Sequence, residues 1–203
     1  MIAVVDYGVG NLAGLEAALR RAGAADVRVT GVPAVICEAS AVVLPGVGRF
    51  GHCVDELRRR GLDRPVRDAR TRGVALLGVC VGMQVLYEAS DEDPGAVGLA
   101  LAAGQVRRLR SDVRVPHVGW NRVRLVSSHR RLAGWPDDAH FYFVHSFAVE
   151  PADRSTVVAT VVYGDELVAA VADDGMLGVQ FHPEKSGAMG TAFLRSFVSG
   201  TGA

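Results

Sequence analysis

The chain has 203 residues, 49% of them hydrophobic, with 22 basic residues balancing 22 acidic ones. A chain of this length buries ~70% of the surface its unfolded form exposes, enough for one full core. The charge balance excludes a disordered polyelectrolyte and a tail that holds nucleic acid through net charge alone.

The first half reads as alternating strand and helix. Ile2–Val5 is a short apolar run, followed by DYGVGN and a helical stretch, Leu12–Arg21, with Leu12, Leu15, Ala18 and Leu19 at helical spacing. Val27–Thr30 and Ala41–Leu44 read as the second and third strands, the latter stopped by Pro45-Gly46-Val47-Gly48. A charged helix is expected over residues 50–72, broken near Gly61 and Pro65. A buried strand over 74–77 and the turn Gly78-Val-Cys80-Val-Gly82 lead into a helix expected over 83–89. Continuous apolar runs of this kind are how buried parallel strands read.

The second half has a different texture. Residues 106–109, 123–126, 140–149, 156–163, 167–172 and 178–181 are strand-like, with turns at Asp137-Asp138, Gly164-Asp165 and Asp173-Asp174-Gly175. A helix over 191–198 closes the chain. No low-complexity linker or repeat divides it, so one domain over residues 1–203 is expected. The predicted fold is α/β, a mostly parallel central sheet flanked by helices, with an additional antiparallel strand region in the second half.

Several classes drop out. The longest run free of polar side chains, residues 74–83, has 10 residues, where a spanning helix needs ~20. The start, MIAVVDYG, has no basic leader and reaches Asp6 too early for a secretion signal. Cys37, Cys53 and Cys80 lie far apart with no CxxC pair, which points to neither a disulfide framework nor a zinc knuckle. The expectation is a soluble cytoplasmic protein without cofactor or metal, engaging neither membrane nor nucleic acid.

Cys80 is the most informative residue. It lies in G-x-C-x-G directly after a buried strand and before a helix, the context of a nucleophile elbow. A thiol at a helix N-terminus is favoured as thiolate. The other two cysteines lack this context and read as small buried hydrophobes. A thiol nucleophile needs a base, and His182 opens His182-Pro183-Glu184 at the end of GVQF. In extended chain, residues two apart point the same way, so Glu184 is placed to orient the imidazole. Spacing alone leaves a second reading open, a strand-end histidine capped by a surface glutamate. Pro45–Gly48 follows a strand, where glycine-rich backbone can aim N–H groups at a developing oxyanion; by itself the segment also reads as an ordinary loop.

Taken in order, GVCVGMQ, PGVGRF and GVQFHPEKS resemble the class I, triad-type glutamine amidotransferases. DYGVGN, VPHVGWN at 115–121, FYFVHSF at 141–147 and the Lys-Ser of HPEKS narrow the resemblance to the glutaminase subunits of imidazole glycerol phosphate synthases. The resemblance runs from residue 6 to 186 and implies a Cys80–His182–Glu184 triad that hydrolyses glutamine through a thioester. It implies an oxyanion hole from Val47, Gly48 and Val81, and contacts to the glutamine's amino-acid head from Gln84, Glu92, Ser146 and Phe147. It also implies a heterodimer in which the partner is a (β/α)8-barrel imidazole glycerol phosphate cyclase, met by Asn11, Trp120, Tyr142 and Lys185, with ammonia passed inside. A peptide in PGVG that must reorient would leave the isolated chain nearly silent. Val81 in place of Leu, Phe147 in place of Tyr, and a bland GLALAAG at 98–104 depart from the family pattern without removing a catalytic group.

Rival readings keep or discard this chemistry. A paralogous glutaminase subunit would feed ammonia to a surface-sugar-modifying synthase; a cysteine peptidase fits HPEKS and PGVG poorly, and the intact Cys80–His182–Glu184 set speaks against a non-catalytic docking subunit. Gly8-Val-Gly10-Asn-Leu-Ala13 matches a dinucleotide fingerprint, but the acid expected after the second strand is missing. The arginine-rich stretch 58–72 interleaves Asp63 and Asp68 and reads as a solvated helix face. His140 and His145, five apart on a strand, face opposite ways and make a poor metal pair.

Overall fold

The computed structural model describes residues 1–110, 112–127, 132, 135–136 and 139–201. Among these, the strands are β1 (Ile2–Val5), β2 (Val27–Thr30), β3 (Ala41–Leu44), β4 (Ala75–Val79), β5 (Ala89–Ser90), β6 (Gly104–Arg108), β7 (His117–Leu125), β8 (His140–His145), β9 (Phe147–Pro151), β10 (Val157–Tyr163), β11 (Asp165–Ala172) and β12 (Met176–Val179). The helices are α1 (Leu12–Arg21), α2 (Pro33–Cys37), α3 (Phe50–Arg59), α4 (Asp63–Thr71), α5 (Val81–Gln84) and α6 (Gly187–Ser199). No helix among the described residues is long and apolar enough to cross a membrane.

The described strands form a nine-stranded sheet in the order β2-β1-β3-β4-β12-β11-β10-β7-β8, with β5-β6-β9 as a separate small sheet. β2, β1, β3, β4 and β12 run parallel; from β12 onward every pairing in the large sheet is antiparallel. The sheet is therefore mixed, half parallel and half antiparallel. β1, β3, β4 and β12 are buried at every position, as their unbroken apolar runs require.

Register explains where the site forms. Gly78 of β4 pairs with Leu44 of β3 on one side and Gly178 of β12 on the other. Three adjacent parallel strands thus end at one edge, and the segments leaving them are Pro45–Gly48, Cys80 and Gln180–His182. Ligand sites in open α/β sheets form outside these carboxyl ends.

The structure corrects several predicted boundaries. The helix expected over 50–72 divides at Gly61, which takes φ +65° and closes α3 with Leu62 N–H donating to the Leu57 carbonyl at 2.8 Å. Pro65 does not break it; it falls in the first turn of α4, where a missing N–H costs nothing. The helix expected over 83–89 is only α5, and Ala89 is already in β5. Residues 98–101 return over this segment, their N–H groups bonding to the carbonyls of Glu88, Val85, Tyr87 and Leu86. A Cβ on Gly98 would meet the Tyr87 carbonyl at 1.9 Å, so the bland GLALAAG stretch begins where only glycine fits. The run 140–149 splits at Ser146 into β8 and β9, which belong to different sheets. α2 and the first half of β7 had no counterpart in the sequence reading. Tyr163 and Asp165 pair across Gly164 at φ +74°, and Asp173 Oδ1 accepts from Gly175 and Met176 N–H in the next turn. The turn expected at Asp137-Asp138 lies outside the described residues.

Candidate active site

Cys80 links β4 to α5 with φ 54° and ψ −116°, a conformation that costs an L-residue about 1–3 kcal/mol. The surroundings hold it there. Its N–H donates to the Val179 carbonyl at 2.7 Å, and its carbonyl accepts from Met83 and Gln84 N–H. A Cβ on Gly78 would come within 2.7 Å of Met83 Cα, and one on Gly82 within 2.0 Å of the Leu44 carbonyl, so both glycines of the elbow are required sterically. α5 has four residues; the helix dipole invoked from sequence shrinks to the free N–H groups of one turn.

His182 is extended, at φ −99° and ψ 97°, but Glu184 is not. Pro183 starts a 3-10 turn over Pro183–Lys185, and Glu184 reaches back from that turn to His182 Nδ1 at 3.0 Å. The expected pairing forms by a different geometry, because proline's fixed φ favours a turn as well as extension. Both side chains are 2% exposed. The Tyr142 carbonyl accepts from His182 N–H, and the Ser186 hydroxyl donates to the His182 carbonyl, clamping the residue. Burial alone would push the imidazole down, but the Cys80 sulfur beside it and Glu184 outweigh this and raise it to about 9. Glu184, though buried, is held below the usual carboxylate range by His182, with a further contact from Asn11 Nδ2 at 3.4 Å. His182 Nε2 is buried with no hydrogen-bond partner among the described residues, as a nitrogen turned to a substrate or nucleophile would be.

Cys80 and His182 open onto a cleft of about 250 Å³. Val47, Gly48, Val81, Gln84, Glu92, Ser146 and Phe147, all anticipated for this site, line it together with Pro116, Val144 and His145. Gly46 packs against Val81 and Gly82 so closely that a Cβ would lie 2.2 Å from Gly82 N. The Val47 carbonyl faces the core, 3.5 Å from the Cys53 sulfur, and the Pro45 carbonyl accepts from the buried Tyr7 hydroxyl. In a planar trans peptide, C=O and N–H point opposite ways, so the Gly48 N–H is turned away from Cys53, and Gly48 lines the cleft. Val81 is the first residue of α5, and its N–H has no helical acceptor. Burial pushes the Cys53 thiol up to about 12, so it is inert as a nucleophile.

The groups assigned to the glutamine head are more constrained than the sequence suggested. Glu92 Oε2 accepts from Phe50 N–H at 2.8 Å, and neighbouring Asp93 from Gly51 N–H at 2.9 Å, so the pair caps α3. Gln84 Nε2 donates to the Phe147 carbonyl and to Gln180 Oε1, leaving Gln84 Oε1 to accept. The Ser146 and Phe147 carbonyls are already engaged, by Leu109 N–H and by Gln84 with His145 respectively. His145 Nε2 lies 2.9 Å from His117 Nδ1, and burial lowers each imidazole to about 4. His145 therefore pairs across the β7–β8 register, not with His140. Tyr7, Cys53, His117, His145 and Gln180 had no role in the sequence reading beyond their motifs.

The four anticipated interface residues lie together behind His182. Trp120 and Tyr142 are cross-strand partners with ring centroids 6.2 Å apart, and Lys185 Nζ lies 5.9 Å from the Tyr142 ring centre. Asn11 touches Glu184 itself. Trp120 is 56% exposed, unusual for so large a ring. Gly10 packs on Pro45, where a Cβ would lie at 2.9 Å, so the fingerprint-like loop supports the Pro45–Gly48 segment.

Residues 3–200 match the family model described as glutamine amidotransferase class-I. The imidazole glycerol phosphate synthase subunit HisH of Moorella thermoacetica is 42% identical over 196 residues, covering 97% of this chain and 93% of that protein. The HisH protein of Methanothermobacter thermautotrophicus is 44% identical over 198 residues, covering 98% of each. Among solved structures, a glutamine amidotransferase superposes with TM-score 0.79 at 21% identity over the full length of both chains. PurLQS from Thermotoga maritima gives 0.73 at 18% identity, covering 98% of this chain and 97% of that one; these two likenesses speak to fold alone. The chain belongs to the class I glutamine amidotransferases and, among them, to the HisH subunits of imidazole glycerol phosphate synthase.

Proposed function

We propose that this chain, acting as one amidotransferase domain, hydrolyses glutamine at Cys80 and delivers the ammonia to a (β/α)8-barrel cyclase subunit. That partner would form imidazole glycerol phosphate and aminoimidazole carboxamide ribotide in histidine biosynthesis. The observation that carries the chemistry is the delivery of Pro45–Gly48, Cys80 and His182 to one cleft by three adjacent parallel strands.

The Cys80 proton passes to His182 Nε2, a transfer that the raised imidazole favours before substrate arrives, and the thiolate sulfur then attacks the glutamine carboxamide carbon. The carbonyl oxygen becomes an oxyanion and takes hydrogen bonds from Gly48 and Val81 N–H. His182, its charge stabilised by Glu184, holds the proton until the amide nitrogen leaves, and then donates it. Ammonia departs and a Cys80 thioester remains. Water attacks that thioester as His182 takes one of its protons, the C–S bond breaks, and glutamate leaves. Glu184 stabilises the imidazolium throughout and fixes its orientation. Gln84 Oε1 and the uncapped oxygen of Glu92 are the acceptors for the substrate ammonium.

Ammonia released to water at neutral pH would be protonated and lost as a nucleophile, so the cleft must empty into a partner. The face carrying Trp120, Tyr142, Lys185 and Asn11 is the docking surface in this reading. Its Tyr142 carbonyl bonds directly to His182 N–H. The test is covalent trapping: a diazoketone analogue of glutamine should add one label, on the Cys80 peptide. Labelling at Cys37 or Cys53, or none with the cyclase present, would defeat the assignment.

A further inference from the structure

Gln180 follows β12 and is fully buried, and its side chain has no part in the mechanism above. Its orientation is fixed by a chain of partners. The Phe147 carbonyl can only accept, so the Gln84 atom 2.9 Å from it must be the amide nitrogen. The second proton of that nitrogen goes to Gln180 Oε1 at 3.0 Å. Gln180 is thereby held with its oxygen on Gln84 and its NH2 group 3.6 Å from Cys80 Sγ. Turning the amide over would set two NH2 groups against each other and present an acceptor to the sulfur. The Phe147 carbonyl is anchored from its other side by His145 Nδ1 at 2.9 Å.

We propose that Gln180 is a further catalytic residue whose side-chain N–H donates to the Cys80 sulfur and stabilises its thiolate form. This rests on Cys80 being the nucleophile. The proton leaving sulfur still goes to His182 Nε2; Gln180 keeps its own protons and contributes only the N–H···S hydrogen bond. Such a bond strengthens as its acceptor becomes charged. The Val144 carbonyl, 3.9 Å from Sγ, behaves oppositely: it accepts from a thiol and repels a thiolate. Gln180 therefore acts twice per turnover, when the sulfur first loses its proton and when the C–S bond of the thioester breaks and sulfur departs with the electron pair.

The test uses the full-length chain without substrate and follows iodoacetamide modification of the Cys80 peptide by mass over a pH series. Gln180→Met keeps the volume and removes the donor. Its profile should move about one pH unit towards alkali, with a rate about tenfold lower at neutral pH, as expected for one lost hydrogen bond to a charged group. Gln84→Met, which releases Gln180 from its fixed orientation, should move the profile the same way by less, and decides the matter if Gln180→Met does not fold. An unmoved profile in the folded variant overturns the role of Gln180 while leaving Cys80 as nucleophile. A parent Cys80 that reacts no faster than Cys37 at any pH overturns both.

Discussion

Gly82→Ala tests whether the contact between the elbow and the Pro45–Gly48 segment sets the rate. A Cβ at Gly82 would lie 2.0 Å from the Leu44 carbonyl oxygen and 2.8 Å from the Pro45 carbonyl carbon, where real Cβ atoms essentially never approach within 3.0 Å. The obstruction is backbone, so no rotamer relieves it. The elbow and the end of β3 must separate by about an ångström, a displacement of the size that costs roughly 10²-fold in rate. That gap opens between the segments of Val81 and Gly48, whose N–H groups are the proposed oxyanion donors, and weakening one such donor costs about 10²–10³-fold. The expected result is a kcat about 10²-fold below the parent, with a smaller change in KM because Glu92, Ser146 and Phe147 lie on other segments. Gly23→Ala is the control: its φ is +106° with nothing within 4 Å of the added methyl, and it is remote from the cleft. It should lose about 1–2 kcal/mol of stability through backbone strain and keep its kcat. The assay is initial glutamate release at saturating glutamine with the cyclase present, both variants verified as folded by circular dichroism. A Gly82→Ala enzyme within twofold of the parent would mean that this contact does not set the rate.

His117 and His145, about 4 in the fold against an ordinary 6.5, make the unfolded chain the better proton acceptor as pH falls. Their stability contribution is complete above 6.5 and declines towards 4, by about 1–2 kcal/mol per imidazole at pH 5; urea midpoints at pH 7.5 and 5 should differ accordingly, with a shallower fall in His145→Gln, and equal slopes would contradict this. His182 has the opposite sign: raised to about 9, it stabilises the fold fully below 6.5 and loses that contribution as pH rises through 9, so His182→Gln should flatten the alkaline limb of the same titration. Glu184→Gln removes the charge that holds the imidazolium and should lower kcat about 10- to 100-fold with KM little changed; an unchanged kcat would mean that Glu184 only packs. Trp120→Ala should weaken cyclase binding at least about tenfold by calorimetry, as expected of an exposed aromatic anchor, and a parental Kd would move the docking face elsewhere.

The parallel half of the sheet was legible because buried strands announce themselves: β1 and β3 fall where their apolar runs place them. Cys80, His182 and Glu184 were legible because glycines and a proline with fixed steric duties surround them. Glu184 nonetheless reaches its partner from a 3-10 turn, which a two-residue spacing does not distinguish from extended chain. α5 stopped early for a reason invisible locally, since the donors that take its following carbonyls come from residues 98–101. The buried polar chain through His117, His145, Gln84 and Gln180 was illegible for the same reason. Each link joins segments far apart in sequence, and only the β7–β8 register and the β4–β12 pairing bring them within hydrogen-bond distance. α2, five residues opened by Pro33, is too short to show a period.

Cys80-dependent, partner-coupled hydrolysis is tested by glutamate release from the parent chain and from Cys80→Ala, each measured alone and with the cognate cyclase and its ribotide substrate. The isolated parent should release glutamate slowly, adding cyclase and ribotide should raise the rate strongly, and Cys80→Ala should release none above background in either state. Cyclase-dependent release that survives in Cys80→Ala would contradict the central claim.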